Sequence, residues 1–458
     1  MRFFPLVLLV ALVLVLLSSY IFRDTKRQNL ILLIISYTFY AWWDWRFLVL
    51  VIAVSGIVYL AAKHVHTSRF ALSFGLGLPL LSLGICKYLN FFLDSFYSLL
   101  GVPYSHTWKL ILPLGISFYT FLAISYLLDV YYSKLPAEES FLPVALYIGF
   151  FPSVVSGPIT KARELIGQFH RARIVRWDNI QAGIQCFLMG CLKKSVLADR
   201  LGVFVDDVYR APLAFDSATV WLAVVAYSLQ LYFDFSGYSD MVIGCARCMG
   251  FTLSENFNLP YIAKNISEFW KRWHISLSSW FQEYLYISLG GNRYGSLNTC
   301  RNLLITMLIC GLWHGAAWNY VLWGGIHGVL LCLYRLYKTF VGKAICFPLI
   351  LEIAFTYLVT ALCWIFFRGT DMQNISEIFY RLFVWENFGV HQMYVYAWVS
   401  ILLVIAVSLY SIYCNNWNGF IPDMDLRKPT RFFVLWLEIF ILLGLMYTGS
   451  NPFVYATF

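Results

Sequence analysis

Three histidines stand out, His274, His314 and His327, the last two in a run without charged residues. His314 lies in Gly311-Leu-Trp-His-Gly315, and from Asn302 to Tyr334 the chain carries no Lys, Arg, Asp or Glu. An ionisable side chain in such a run is costly in hydrocarbon and by default marks a functional site facing a cavity or a partner. Imidazole, with an ordinary pKa of about 6.5, suits proton transfer near neutral pH. On a continuing helix Gly311, His314, Gly315 and Trp318 share a face, so glycines flank the ring. Small residues there either leave room for a substrate or let two backbones approach, with the imidazole bonded to a carbonyl between packed helices. Both readings stay open from the residues alone. His327, after Gly324-Gly325, is more ambiguous still.

The second histidine belongs to Ser267 to Gly291, where Trp270, Trp273, His274, Leu277, Trp280, Phe281 and Tyr284 recur at helical spacing. Lys271, Arg272, Ser276, Ser279, Gln282 and Glu283 take the opposite face, so the spacing predicts one amphipathic helix of interfacial type. For a lone histidine on such an aromatic face, a structural hydrogen bond is the default. A third polar island runs from Gln230 through Asp234 and Tyr238 to Asp240. Two carboxylates in an aromatic run predict a broken helix lining a cavity. Asp234 and Asp240 fall on different helix faces, which argues against a paired acid and base. Orienting a histidine or bonding exposed backbone suits them better. No H-E-x-x-H, phosphate loop, G-x-S-x-G or dinucleotide fingerprint is present, and no metal is expected. Cys245 and Cys248 form a C-x-x-C whose surroundings read as helix packing rather than metal or redox use.

These residues need elements to hold them, and composition says what kind. Of 458 residues 60% are hydrophobic and only 12% charged, against about 25% charged in a soluble domain. The chain is therefore a polytopic membrane protein of all-α class, read as one integral domain over 1–458, with membrane lipid around it. Its net charge of +9 is spread over loops, which fits the positive-inside bias and not nucleic-acid binding.

The run Phe3 to Phe22 lacks a small-residue cleavage site and reads as a retained span, starting outside and ending in the cytoplasm. Leu30 to Trp43 and Arg46 to Ala62 follow, joined by an outer aromatic turn at Tyr40 to Trp45, with Lys63 to Arg69 inside. Later apolar runs are often short, or broken at Pro113-Leu-Gly115, Gly157-Pro158 and Gly324-Gly325. Such segments are tolerated at membrane depth only when buried in protein or lining a cavity. The expectation is about ten to twelve spans plus re-entrant and interfacial helices. Basic residues from Lys161 to Arg176, with Lys193, Lys194, Lys264, Lys271 and Arg272, either fix orientation or meet a phosphate-bearing donor such as a coenzyme.

Several stretches resemble the membrane-bound O-acyltransferases. They are Leu112 to Phe121 with Asp129-Val-Tyr131, Gln230 to Asp240, Asn256-Phe-Asn-Leu-Pro-Tyr261, Phe269-Trp-Lys-Arg-Trp-His274 and Gly311 to Gly315. Phe39 to Trp43, Trp364 to Arg368 and the tail Phe453 to Phe458 are also similar, so the resemblance covers essentially the whole chain. Within that family it is to the bacterial alginate and peptidoglycan O-acetylation branch, related to the membrane protein that D-alanylates teichoic acid. The one departure is Ala456-Thr457, where the branch often carries bulkier residues.

The resemblance implies a ring of helices around a central tunnel, in a multi-pass protein of the bacterial inner membrane. It implies acetyl transfer from cytoplasmic acetyl-CoA, or an acyl carrier protein, towards an extracytoplasmic polysaccharide hydroxyl. A secreted SGNH or esterase-like acetyltransferase partner is expected to relay the group, and no bound cofactor. The family's catalytic histidine maps to His314 and its earlier histidine to His274. Asp234, Tyr238, Trp273, Trp313, Trp318, Asn319, Lys271 and Arg272 are the expected substrate-binding positions, with Trp318 or Asn319 as oxyanion donor. The rival reading is a transporter or flippase of acyl groups or lipid-linked sugars, which broken helices and buried polar groups also suit.

Overall fold

A computed structural model describes residues 4–102, 110–340, 347–385, 389–392, 394–413, 429–447 and 449. The tail Phe453 to Phe458 lies outside the described residues. In chain order the α-helices are α1 Phe4–Ile21, α2 Thr25–Ala62, α3 Arg69–Leu83, α4 Leu89–Leu99, α5 Ile116–Tyr131 and α6 Phe141–Gly149. Next come α7 Ala162–Phe169, α8 Trp177–Cys191, α9 Asp199–Arg210, α10 Ser217–Cys248, α11 Ile266–Arg272 and α12 Ile275–Phe281. The last are α13 Gly295–His314, α14 Trp318–Phe340, α15 Leu349–Arg368, α16 Met372–Phe383, α17 Val395–Tyr413 and α18 Pro429–Leu445. Among the described residues four helices are long and apolar enough to cross a membrane: Thr25–Ala62, Arg69–Leu99, Ser217–Cys248 and Leu349–Arg368. The protein is a multi-pass, all-α membrane protein.

The helices form two compact units, one of Met1–Phe187 with Met241–Ser254, the other of Leu188–Asp240 with Glu255–Phe458. In the first unit the expected pair of early spans is present: the stretch labelled α2 is two helices that meet at Asp44, whose backbone is extended (φ −160°, ψ 107°). The Asp44 carboxylate accepts from the Arg46 backbone N–H at 3.0 Å, restarting the helix after the break. The expected break at Pro113-Leu-Gly115 is also present: α5 begins after Gly115, which has φ +70°, and a Cβ there would run into the Val154 carbonyl. Helix α5 is buried along nearly its whole length, as expected for a helix apolar on every side. Helix α6 has 9 residues, about 14 Å at 1.5 Å per residue, too short to cross hydrocarbon about 30 Å thick. Cys245 and Cys248 are free, buried thiols, with Cys248 Sγ 3.7 Å from the Ile180 carbonyl.

The second unit holds all three histidines, and here three local expectations fail. The island Gln230 to Asp240 does not break its helix, since α10 runs unbroken from Ser217 to Cys248. The single amphipathic helix over Ser267 to Gly291 is instead α11 and α12, parted at Trp273 and His274. The break expected at Gly324-Gly325 lies earlier: α13 stops at His314, Gly315 is extended (φ −161°, ψ 147°), and α14 starts at Trp318. Gly324 sits mid-helix, because a Cβ there would strike the Met307 carbonyl and the Gly311 backbone of α13. A Cβ at Gly311 would strike the Tyr320 carbonyl in return, so the two glycines let α13 and α14 touch backbone to backbone.

Candidate active site

The chemistry-bearing residues of the second unit gather where α11–α12, the α13–α14 hairpin and α15 meet. His274 sits in the left-handed region (φ 43°, ψ 55°) and is completely buried. A non-glycine residue there costs roughly 1–2 kcal/mol and persists only where its surroundings over-determine it. The segment before α11 supplies that determination. Asn256 takes the Ile275 backbone N–H on its own carbonyl at 2.8 Å, and Asn258 N–H donates to the Arg272 carbonyl at 2.9 Å. The Asn256 side-chain oxygen accepts from Ser276 Oγ at 2.8 Å and lies 2.9 Å from His274 Nδ1. Its amide nitrogen donates to Ser239 Oγ on α10 at 2.9 Å. In this arrangement His274 Nδ1 carries the proton, leaving Nε2 as the basic nitrogen. Phe235 meets the ring edge-on at 4.6 Å.

His314 is the last residue of α13 and is also buried. Trp313, Trp323 and Phe367 surround its ring at 4.8, 5.2 and 5.2 Å between centroids. Trp313 also meets His274, at 6.2 Å, so one indole touches both histidines. Of the two readings of the glycines flanking His314, close packing holds and open room does not. The space at Gly311 is filled by α14 backbone, and that at Gly315 by the Tyr320 ring.

The other expected positions divide. Trp273 is buried against Trp364 at 4.8 Å and Phe257 at 5.1 Å, and Tyr238 is buried on α10. Trp318 is 56% exposed, and the Asn319 amide is taken by the Phe366 and Gly369 carbonyls, both at 3.2 Å. Arg272 pairs with Glu268 at 2.8 Å and bonds the Asn258 carbonyl at 3.2 Å, so it braces the turn.

Asp234 and Asp240 each meet a lysine. Asp234 is buried and pairs with Lys194 at 2.5 Å, which also holds Asp199 at 2.7 Å, while Lys193 holds Asp240 at 2.6 Å. The two carboxylates do leave α10 in different directions, but consecutive lysines meet both, because residues Leu192–Ala198 wind as a wider π-helical turn. Lys193, buried, and Lys194, part-buried, are thus ion-pair partners.

A cavity of about 310 Å³ lies between α11–α12 and the α13–α14 hairpin. Lys271, Arg335 and Lys338 line it with Tyr334, while Trp270, Met307 and Cys310 form an apolar part of its wall. Cys310 is one helical turn before His314 on α13. Among the described residues no group of three or more His, Cys, Asp or Glu side chains is placed to hold a metal ion. Reading the sequence missed Asn256, Trp323, Arg335 and Lys338 as site residues. Asn256 stood inside a quoted motif, and the two cations close the uncharged run on α14, the available signal for each.

Residues 118–347 match the model of MBOAT, the membrane-bound O-acyltransferase family. The chain is 40% identical to the probable alginate O-acetylase of Pseudomonas aeruginosa, over 83% of this chain and 74% of that protein. It is 36% identical to the probable alginate O-acetylase of Pseudomonas putida, over 96% of this chain and 97% of that one. A peptidoglycan O-acetyltransferase of Helicobacter pylori is 36% identical over 78% of this chain and 74% of its own length.

Proposed function

Because this chain belongs to the membrane-bound O-acyltransferase family and is an O-acyltransferase, we propose that it moves an acetyl group from cytoplasmic acetyl-CoA to an extracytoplasmic hydroxyl, with His314 as general base. Family membership removes the rival reading of a transporter without chemistry. The observation that carries the proposal is a cavity lined by Lys271, Arg335 and Lys338 and also by Cys310, one turn short of His314. Three cations suit the phosphates of a coenzyme, and the apolar wall suits its uncharged arm.

In this mechanism neutral His314 takes the proton of the acceptor hydroxyl as its oxygen attacks the thioester carbonyl. The new C–O bond forms, the C–S bond breaks, and the CoA thiolate leaves and recovers the proton from the imidazolium. The C-terminus of α13 favours the positive charge that develops on His314. General-base help of this kind is typically worth about 10²–10⁴-fold. With Trp318 exposed and Asn319 bonded to two carbonyls, the oxyanion donor is better assigned to the indole N–H of Trp323, buried against His314. His274, its Nδ1 held by Asn256, orients the acceptor or shares the proton through Nε2.

The relatives' names point to an alginate- or peptidoglycan-type polysaccharide as final acceptor. An SGNH or esterase-like partner outside the bacterial cytoplasmic membrane would relay the group. The test is release of free CoA by the purified protein in reconstituted membranes with partner or acceptor present, run beside an acetylated carrier protein. His314→Ala should lower the rate by about 10²–10⁴-fold. Full transfer by that variant would sink the proposal.

A further inference from the structure

His327 is a buried titratable group that this mechanism does not use. It is completely buried on α14, and neither Nδ1 nor Nε2 has a hydrogen-bond partner among the described residues. Its walls are aromatic: Phe269 stacks on it at 6.2 Å, Trp270 and Trp323 meet it edge-on at 5.2 and 4.9 Å, and Trp364 lies at 6.3 Å. An imidazole kept in such surroundings without a bond gives up its hydration for no return, and a phenyl or isobutyl group would fill the space at less cost.

Its position supplies a reason for that cost. Trp270 lines the cavity, and so does Leu331, one turn after His327 on α14, while Arg335 lies a further turn on. Eight residues of helix separate His327 from Arg335, about 12 Å at 1.5 Å per residue. On its other side Trp323 touches both His327 and His314. His327 therefore stands between the basic wall and the proposed base.

We propose that His327 binds the donor, its ring exchanging a hydrogen bond with an amide of the uncharged arm that carries the thioester from the cations to His314. This rests on the thioester-donor reading above. The arm is common to a coenzyme and to a carrier-protein prosthetic group.

The experiment compares wild type with His327→Phe, His327→Leu and His327→Gln, purified in nanodiscs. Melting temperature is measured with and without donor, and KM and kcat from CoA release. Acetyl-CoA and an acetylated carrier protein are run as separate donors to distinguish the two sources. Without donor, the apolar variants should melt no lower than wild type. Their KM for the donor should rise about tenfold, the worth of one hydrogen bond, with a smaller change in kcat. His327→Gln, which keeps a polar head, should fall between them and wild type. If His327→Phe does not fold, His327→Leu decides by the same readings. A wild-type KM and donor-induced shift in the apolar variants overturn the inference alone. Absence of any shift with either donor in wild type overturns the donor reading, and this inference with it.

Discussion

His274 and His327 are both buried imidazoles of the second unit, yet they are built in opposite ways. His274 is held in a left-handed turn through Asn256, which Ser276 and Ser239 bond in turn. His327 is packed among Phe269, Trp270, Trp323 and Trp364, with both nitrogens unbonded among the described residues. A bonded ring has one tautomer and one orientation, as a proton-transfer group requires. An unbonded ring bears a desolvation cost that a bound partner relieves, as a binding group allows. Under the proposed mechanism the same side chain serves a pre-set role at His274 and one that a substrate completes at His327.

The comparison breaks most visibly at Trp323, which touches both His314 and His327. Trp323→Phe keeps an aromatic ring and removes the N–H, and the expected loss in kcat is about 10²–10³-fold, the size of a missing oxyanion donor. An unchanged kcat would assign Trp323 to packing only. Asn256→Ala should cost less, about 10–100-fold in kcat, by releasing His274 from its tautomer and leaving Ser276 and Ser239 without their partner. If the pH–rate profile of that variant superimposes on wild type, Asn256 is a structural residue and not a positioning one.

Charge at the cavity gives a third, smaller contrast. Lys271→Ala and Arg335→Ala should each raise KM for acetyl-CoA about threefold to tenfold and weaken its salt dependence, with kcat nearly unchanged. An effect on kcat without one on KM would move these cations away from the donor.

The smallest effect lies in the ion-pair cluster, where burial pushes the Asp199 carboxyl up to about 6 against the pull of Lys194, with Asp234 raising it further. A carboxyl raised on folding contributes stability below its unfolded value of about 4, and that contribution is lost as pH rises through about 6. Melting temperature should fall by roughly 1–3 °C between pH 5 and pH 7.5, and Asp199→Asn should flatten that slope. An equal slope in the variant would place the titration elsewhere.

Much of this architecture was legible in residue order. Missing charge announced a membrane protein, and Pro113-Leu-Gly115 and the turn around Asp44 marked real interruptions, because proline, a left-handed glycine and a charged turn act locally. The glycines at 324 and 325 misled, because a helix tolerates glycine wherever a neighbouring backbone presses close, and that neighbour is not written nearby in the sequence. The even spacing of Trp270 to Tyr284 misled for a related reason. Periodicity reports which side is apolar, but Asn256 and Asn258 break the helix at His274 from outside it.

The sequence by itself determined the membrane setting, the isolated histidines and the resemblance that assigned His314 a reaction, since composition and motif order are properties of the chain alone. Only the tertiary structure decided which partners those residues have. It placed Asp234 on Lys194, Asn256 on His274, and Trp323 against His314 and His327. The physical reason is that hydrogen bonds and ring contacts act over a few ångströms, while the residues that make them lie tens of positions apart.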